Sequence, residues 1–171
     1  MTSWLLPTRE ATNQFGEALG RLLRPGQAIA LVGDLGAGKT AITQAIARGM
    51  GIQSYVSSPT FGLIHEYPGP IPLFHFDPYR LQRAEDLMDL GYDEYFHRGG
   101  VVVIEWADKF PEILPDERLT LRLAIEKDMP LNEVAEDAPR RLEVEAIGAE
   151  YRDLLYELKS AMKRSSSLEP T

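Results

Sequence analysis

The residues with the most specific chemistry form one short stretch, Gly33-Asp34-Leu35-Gly36-Ala37-Gly38-Lys39-Thr40. The stretch matches G-x-x-x-x-G-K-[ST], the pattern of a phosphate-binding loop. Glycines let consecutive backbone N–H groups point into one concavity, because glycine reaches positive φ without steric cost. Lys39 adds a positive charge for the β and γ phosphates, and the Thr40 hydroxyl can ligate Mg²⁺. The pattern predicts a nucleoside triphosphate site; the alternative is a glycine-rich turn that binds nothing.

The residues on either side of this loop have the pattern that a phosphate site requires. Gln27–Val32 is a short apolar run and predicts a buried strand. After the loop, Ala41 and Ile42 begin an apolar series at helical spacing, so a helix aims its positive N-terminus at the bound anion. Asp34 is unfavourable beside phosphates, and we expect its side chain to point away from them.

Two acids stand where predicted strands end. Ligands of such sheets bind beyond the carboxyl ends of the strands, so Glu105, after the apolar Val101–Ile104, should face the magnesium site. Asp77 ends another apolar run and could position a water or support the metal. The alternatives are a solvated acid for Glu105 and a turn-initiating Asp-Pro for Asp77.

Several further residues have weaker signals. Ser58 and Thr60 lie in a hydroxyl-rich segment that could close on the γ-phosphate, or could be a plain connecting loop. Arg80 could pair with Asp77, touch phosphate or form an ordinary salt bridge. Trp106 could pack in the core or face the nucleotide. The three histidines, His65, His75 and His97, lack partners for a zinc site, and structural roles are expected for them.

Composition limits the class of protein. The chain has 171 residues, no cysteine and a net charge of −8. That charge argues against autonomous nucleic-acid binding, which depends on lysine and arginine. The start of the chain lacks a signal-peptide pattern and no apolar run is long enough to span a membrane, so a cytoplasmic protein is expected. Residues 1–162 are predicted to form one domain, and 163–171 a disordered tail.

The predicted fold class is α/β, a three-layer fold of the P-loop NTPase type. Strands alternate with helices around the loop, which predicts a mixed, mainly parallel central sheet with helices on both faces and antiparallel hairpin additions. Thr8 is a plausible N-cap for the first helix, and Pro72 is expected at an edge of the sheet. The predicted elements are strands at Trp4–Leu6, Gln27–Val32, Phe61–Tyr67, Ile71–Asp77, Val101–Glu105, Leu119–Ile125 and Leu142–Ile147, and helices at Arg9–Leu23, Ala84–Leu90, Tyr92–Phe96 and Tyr151–Met162.

Four segments in this order resemble the TsaE family, also called YjeE. They are Gly33–Thr40, Ser58-Pro59-Thr60-Phe61, His75-Phe76-Asp77-Pro78-Tyr79-Arg80 and Ile104-Glu105-Trp106. The resemblance covers about residues 4–147. It implies the ATPase subunit of the bacterial machinery that makes threonylcarbamoyladenosine in tRNA, next to the anticodon. It also implies ATP or ADP and Mg²⁺ as cofactors, weak hydrolysis by the chain alone and action with the TsaB–TsaD pair, with tRNA bound by the complex.

The resemblance also implies roles for particular residues. Lys39 and Thr40 contact phosphate and Mg²⁺, Glu105 is the metal-site acid, Asp77 lies near the reacting phosphate, and Thr60 belongs to a switch-like segment. The region Thr8–Thr12, including Thr12, lies near adenine, and Arg140 or Arg141 approaches the nucleotide. The departures from the family pattern are Ala41 in place of a second threonine, a long acidic segment at Glu126–Pro139, and the Ser-rich tail.

Other functions stay open at this point. A small-molecule kinase needs an acceptor pocket and usually an Arg-rich lid, and the sequence has no Arg-rich segment. A GTPase is disfavoured because no N-K-x-D segment for reading guanine is present. A binding module that responds to nucleotide and scarcely hydrolyses it is the third alternative.

Overall fold

The computed structural model describes residues 1–57, 63–126, 138–165 and 170. Within them the strands are Thr2–Leu6 (β1), Ala28–Val32 (β2), Ile64–Tyr67 (β3), Leu73–Phe76 (β4), Val101–Ile104 (β5), Arg118–Ile125 (β6) and Arg140–Ile147 (β7). The α-helices are Arg9–Leu22 (α1), Lys39–Gly49 (α2), Glu85–Met88 (α3) and Ala149–Ser165 (α4). Short 3₁₀ helices cover Tyr92–His97 and Pro111–Ile113.

All these strands join one sheet in the order β1-β7-β6-β2-β5-β4-β3. The central strands β6, β2, β5 and β4 run parallel, while β7 and β3 pair antiparallel at either side of them. The outermost strand β1 is antiparallel to β7 and therefore points the same way as the central strands. The mixed, mainly parallel sheet with a β3–β4 hairpin is thus confirmed. The carboxyl ends of β2, β5 and β4 meet at one edge.

Helices cover both faces of this sheet, as predicted. On one face α1, α2 and α4 pack over the large core, which includes Phe15, Ile46 and Leu158. On the other face the short α3 and the 3₁₀ helices cover a smaller core around Phe76 and Ile104. Because β2 and β5 are covered on both sides, their sequences are apolar throughout instead of alternating.

The first two helices approach each other closely through glycines. A Cβ on Gly16 would lie 2.5 Å from the Ala45 Cβ, and one on Gly20 would lie 2.2 Å from the Ile46 carbonyl oxygen. The N-cap of α1 is Thr8, as predicted, whose Oγ1 accepts a hydrogen bond from the Ala11 N–H at 3.1 Å. This packing fixes α2, and α2 begins at Lys39 of the phosphate-binding loop.

Two local predictions were wrong. Pro72 does not lie on an edge strand, because β4 is interior and β3 forms the edge. Pro72 precedes β4 by one residue, and its carbonyl accepts a hydrogen bond from the Val101 N–H. At this position a proline removes no N–H from within the strand. The last helix does not end at Met162 but continues to Ser165, so residues 163–165 belong to α4.

No helix in the described part of the chain has the length and hydropathy needed to span a membrane.

Candidate functional site

The phosphate-binding loop joins the carboxyl end of β2 to the start of α2. Gly36 and Gly38 have φ values of +79° and +107°, and Gly33 has +153°. A Cβ on Gly33 would lie 2.4 Å from the Leu123 carbonyl oxygen, so the neighbouring strand leaves no room for a side chain there. Conformation therefore favours glycine at all three positions, and at Gly33 the lack of space requires it as well.

The Lys39 side chain folds back over its own loop. Its Nζ donates to the carbonyl oxygens of Gly33 at 2.6 Å and Asp34 at 2.9 Å. It also lies 3.4 Å from the centroid of the Trp106 ring, within the range of a cation–π contact. Burial lowers the pKa of the Lys39 ammonium, and the nearby carboxylates, led by Glu105, act in the opposite direction.

Trp106 adopts an unusual backbone conformation beside the loop. Among the described residues it is the one non-glycine with positive φ, at 55°. Such a conformation costs of order 1–3 kcal/mol and persists where the surroundings enforce it, often at functional sites. Its ring stacks at a tilt against Tyr79, with centroids 4.7 Å apart. The strained turn thus places an aromatic surface directly against Lys39.

Glu105 follows β5 and is 2% exposed. Its backbone N–H donates to the Phe76 carbonyl at 2.9 Å, which ties it to β4. Its Oε2 accepts a hydrogen bond from the Thr40 hydroxyl at 3.2 Å. The first turn of α2 and the end of β5 therefore bring a hydroxyl and a carboxylate together, as Mg²⁺ coordination requires.

Asp77 stands at the end of β4, beside Glu105 at the end of β5. It is buried, and its Oδ1 accepts a hydrogen bond from the Tyr79 N–H at 3.2 Å. That contact is the turn-initiating Asp-Pro arrangement considered from the sequence. Asp77 also lines the same cleft as Lys39 and Thr40, so its turn contact does not remove it from the cleft.

These side chains surround one open cleft of about 270 Å³. Its lining residues are Leu35, Gly36, Gly38, Lys39, Thr40, Ala41, Asp77, Tyr79, Glu105 and Trp106. The cleft combines a helix N-terminus and an ammonium, which attract anions, with two carboxylates and a hydroxyl, which suit a hard cation. It can hold a polyphosphate together with its metal ion.

A second depression of about 150 Å³ adjoins the cleft. It is lined by Arg9, Thr12, Ala41 and Arg140, and Ala41 is common to both spaces. Arg140 is 6% exposed and its Nε donates to the Ala37 carbonyl of the loop at 3.0 Å. Thr12 and Arg140, whose roles came from family resemblance, therefore lie beside the loop in space.

The other predicted site residues lie elsewhere. Asp34 is exposed and does not line the cleft. Arg80 is exposed on the turn after Asp77 and does not line the cleft either. Ser58 and Thr60 lie outside the described residues.

The sequence interpretation expected a structural role for His75 and assigned none to Tyr79, but the structure makes both of them functional candidates. Tyr79 lines the cleft, and His75 contacts Glu105 through Nε2 at 2.9 Å. The available signal was a lone polar residue in the otherwise apolar strand Leu73–Phe76.

Comparison with known proteins identifies the family of this chain. The sequence model of the family described as "Threonylcarbamoyl adenosine biosynthesis protein TsaE" matches residues 6–133. The chain belongs to the TsaE family. A TsaE protein of Bacillus subtilis is 40% identical over 156 residues, covering 91% of this chain and 92% of that protein. A TsaE protein of Treponema pallidum is 41% identical over 117 residues, covering 68% of this chain and 87% of that protein.

A solved structure extends the similarity to three dimensions. The crystal structure of YdiB from Bacillus subtilis superposes with a TM-score of 0.75 at 35% identity, covering 94% of this chain and 97% of that one. The TsaE family membership and the P-loop NTPase-like fold are therefore both established for this chain.

Proposed function

We propose that this chain is an ATP-binding, weakly hydrolysing ATPase required for threonylcarbamoyladenosine modification of tRNA, acting with the TsaB–TsaD pair. The observation that carries the proposal is the meeting of Lys39, Thr40, Asp77 and Glu105 in one cleft at the carboxyl edge of parallel strands. Membership of a family named for threonylcarbamoyladenosine biosynthesis supplies the pathway.

The residues of the cleft fit a magnesium ion. No cluster of three or more His, Cys, Asp and Glu able to hold a metal occurs in the described ranges. Mg²⁺ does not need one, because it commonly binds through one or two protein oxygens plus phosphate and water. The Thr40 hydroxyl and the Glu105 carboxylate, 3.2 Å apart, supply those oxygens. When bound, Mg²⁺ would neutralise charge on the phosphates.

The second depression suits the nucleoside. It lies next to the loop, shares Ala41 with the main cleft and contains the hydroxyl of Thr12 and the guanidinium of Arg140. A nucleotide whose polyphosphate lies in the main cleft would have its base within reach of this space. We therefore assign it to adenine.

The chain's own residues then divide the work of hydrolysis. Lys39 exchanges its loop carbonyls and the Trp106 ring for phosphate oxygens, and the backbone N–H groups of the loop hold the same phosphates. Glu105 and Thr40 would hold the metal ion, and Asp77 would orient the attacking water. No arginine lines the main cleft within the described residues, so stabilisation of the transition-state charge is left to a partner.

The test is a measurement of ATP hydrolysis with and without TsaB–TsaD. We expect slow turnover by the chain alone and strong stimulation by the pair, since a partner-supplied arginine can raise the rate ~10³–10⁵-fold. Glu105→Gln and Lys39→Ala should remove the stimulated activity, and chelation of Mg²⁺ should do the same. The exposed acid Glu94 provides the matched control Glu94→Gln.

The same assay separates the alternatives. Higher affinity for GTP than for ATP would favour a GTPase, and a phosphorylated nucleoside or nucleotide product would identify a kinase. If Glu105→Gln and Lys39→Ala both sustain tRNA modification in a reconstituted system, the chain acts as a nucleotide-responsive binding module. No stimulation together with no effect on tRNA modification contradicts the proposal.

A further inference from the structure

A buried polar contact lies beneath the cleft, on the side of Glu105 away from Thr40. His75 on β4 is completely buried, and its Nε2 lies 2.9 Å from the Glu105 Oε1. The Thr43 hydroxyl of α2 lies 3.4 Å from the same oxygen. The other carboxylate oxygen, Oε2, is the one that contacts Thr40. The two oxygens of Glu105 therefore have different surroundings.

The position of His75 follows from strand register. β4 and β5 are parallel, with His75 beside Val103, two residues before Glu105. Because side chains alternate along a strand, Val103 and Glu105 share a face, and His75 lies on that face as well. The imidazole thus reaches Glu105 from the neighbouring strand, beneath α2.

Stability alone does not account for a histidine at this position. Its neighbours on β4, Leu73, Phe74 and Phe76, are apolar and buried. The His75 Nδ1 has no hydrogen-bond partner within the described chain, although it is buried. An apolar side chain would avoid the cost of an unpaired polar atom. The retained contact is the one between Nε2 and Glu105.

Of the two groups near Oε1, His75 is the stronger donor. The Thr43 hydroxyl has one hydrogen, and it lies closer to the Lys39 carbonyl oxygen, at 2.9 Å, than to Glu105. A carboxylate only accepts hydrogen bonds, so the His75 contact requires a hydrogen on Nε2.

We propose that His75 is a positioning residue for Glu105. By donating from Nε2 to Oε1 it holds one carboxylate oxygen beneath the cleft and turns Oε2 toward Thr40 and the metal position. Metal sites commonly depend on such supporting hydrogen bonds, and their loss typically costs 10–100-fold in metal affinity or activity. The inference rests on the proposed use of Glu105 as the metal acid.

The first test needs no nucleotide. Long-range ¹H–¹⁵N NMR correlations report the tautomer of each of the three histidines in the free protein. We expect hydrogen on Nε2 of His75. A hydrogen on Nδ1 alone overturns the proposal, because Nε2 could then not donate to Glu105.

The second test uses conservative variants. The amide nitrogen of glutamine reaches the position of Nε2, whereas that of asparagine reaches the position of Nδ1. We therefore expect His75→Gln to keep Mn²⁺ affinity in the ADP complex within a few-fold, and His75→Asn and His75→Leu to lower it 10–100-fold. Mn²⁺ binding is read by electron paramagnetic resonance, and ADP affinity without metal should stay unchanged. Equal behaviour of the Gln and Asn variants in folded protein contradicts the proposal.

The matched control is His65→Asn. His65 lies directly opposite His75 across the β3–β4 pair, but it contacts Tyr67 instead of Glu105. This variant should bind Mn²⁺ like the parent.

In a Glu105→Gln background, His75→Leu should lower Mn²⁺ affinity no further. A loss as large as in the parent background means that His75 acts independently of Glu105.

Failure of the proposed function is recognised separately. If the parent protein binds neither ADP nor Mn²⁺, the nucleotide assignment fails. Two measurements then show whether His75 donates to Glu105. One is the tautomer of His75, and the other is a double-mutant cycle of His75→Leu and Glu105→Gln on the free energy of unfolding. Additive effects on unfolding in that cycle overturn the positioning role.

Discussion

Lys39 carries an electrostatic conflict, because burial disfavours its ammonium while neighbouring carboxylates favour it. Its ammonium is buried, and burial lowers its pKa below the ordinary value of 10.5, although carboxylates of the site partly compensate. A lowered lysine pKa means that the charged form is less favourable in the folded than in the unfolded protein. Burial of the Lys39 ammonium therefore has a cost in the ligand-free fold, and Lys39 is the residue that we propose binds phosphate.

This conflict predicts a pH-dependent effect of Lys39→Met. Between the folded pKa and 10.5, the unfolded chain binds more protons than the folded chain, so the stability of the parent rises with pH in that window. Methionine does not titrate, and the parent should gain unfolding free energy relative to the variant as pH rises. Urea unfolding at several pH values measures the difference.

The control for this prediction is Lys163→Met in the exposed last turn of α4. Its ammonium stays in water, so its unfolding free energy should follow that of the parent across the same pH range. A constant difference between Lys39→Met and the parent contradicts the prediction.

The contact between α1 and α2 is the feature at the scale of elements that most affects the site. Gly20 lies against the Ile46 carbonyl and Gly49 lies against the Glu17 carbonyl. The backbone of each helix therefore packs directly against the other helix. Close packing of this kind leaves no space for a methyl group. Because α2 starts at Lys39, the contact also fixes the phosphate-binding loop.

Gly20→Ala should therefore destabilise the fold. Overpacking typically lowers the stability of a fold by about 1–3 kcal/mol. This loss offsets the roughly 1 kcal/mol of stability that alanine gains over glycine through its helix propensity. Displacement of α2 should also weaken ATP binding. Chemical denaturation and nucleotide titration measure the two effects.

Arg21→Ala is the neighbouring control, since the Arg21 side chain is 63% exposed. Its unfolding free energy should stay within about 0.5 kcal/mol of the parent. If Gly20→Ala is as stable as Arg21→Ala and binds ATP equally well, the close contact does not control the loop.

Secondary-structure elements could be predicted wherever the sequence pattern that specifies them lies in neighbouring residues. The glycine loop, the apolar run before Glu105 and the Thr8 cap each depend on neighbouring residues, and the structure has all of them. The close packing at Gly16 and Gly20 was not predicted, because it depends on Ala45 and Ile46 of another helix.

Site features that depend on distant contacts were not predictable in the same way. The Glu105 contact of His75 depends on the register between two strands, which a single strand's sequence does not determine. The Lys39–Trp106 contact depends on a positive φ at a residue type that rarely adopts it. The location of Arg140 was predicted from family resemblance. Periodicity could not predict it, because its partner Ala37 lies 103 positions earlier in the chain.

At the scale of the whole molecule, the net charge argues against binding of tRNA by this chain alone. The formal charge is −8, whereas non-specific affinity for nucleic acid comes mainly from phosphate neutralisation by lysine and arginine. The proposed function therefore assigns tRNA contact to the partners.

We expect the isolated chain to bind tRNA more weakly than typical non-specific binders, whose Kd values are about 10⁻⁴–10⁻⁶ M at physiological salt. Fluorescence anisotropy of labelled tRNA measures this directly. Addition of TsaB–TsaD should produce binding, and the partner pair without this chain is the control. Salt-dependent binding of tRNA by the chain alone at low micromolar concentration contradicts the assignment.

The self-contacts of Lys39 have a consequence for ligand capture. A free lysine side chain samples many rotamers, and ordering it costs about 2 kcal/mol of conformational entropy. In this fold the Gly33 and Asp34 carbonyls and the Trp106 ring have already ordered that side chain. Most of the entropic cost therefore falls on folding, and a phosphate that binds as proposed would meet an ammonium that is already in place.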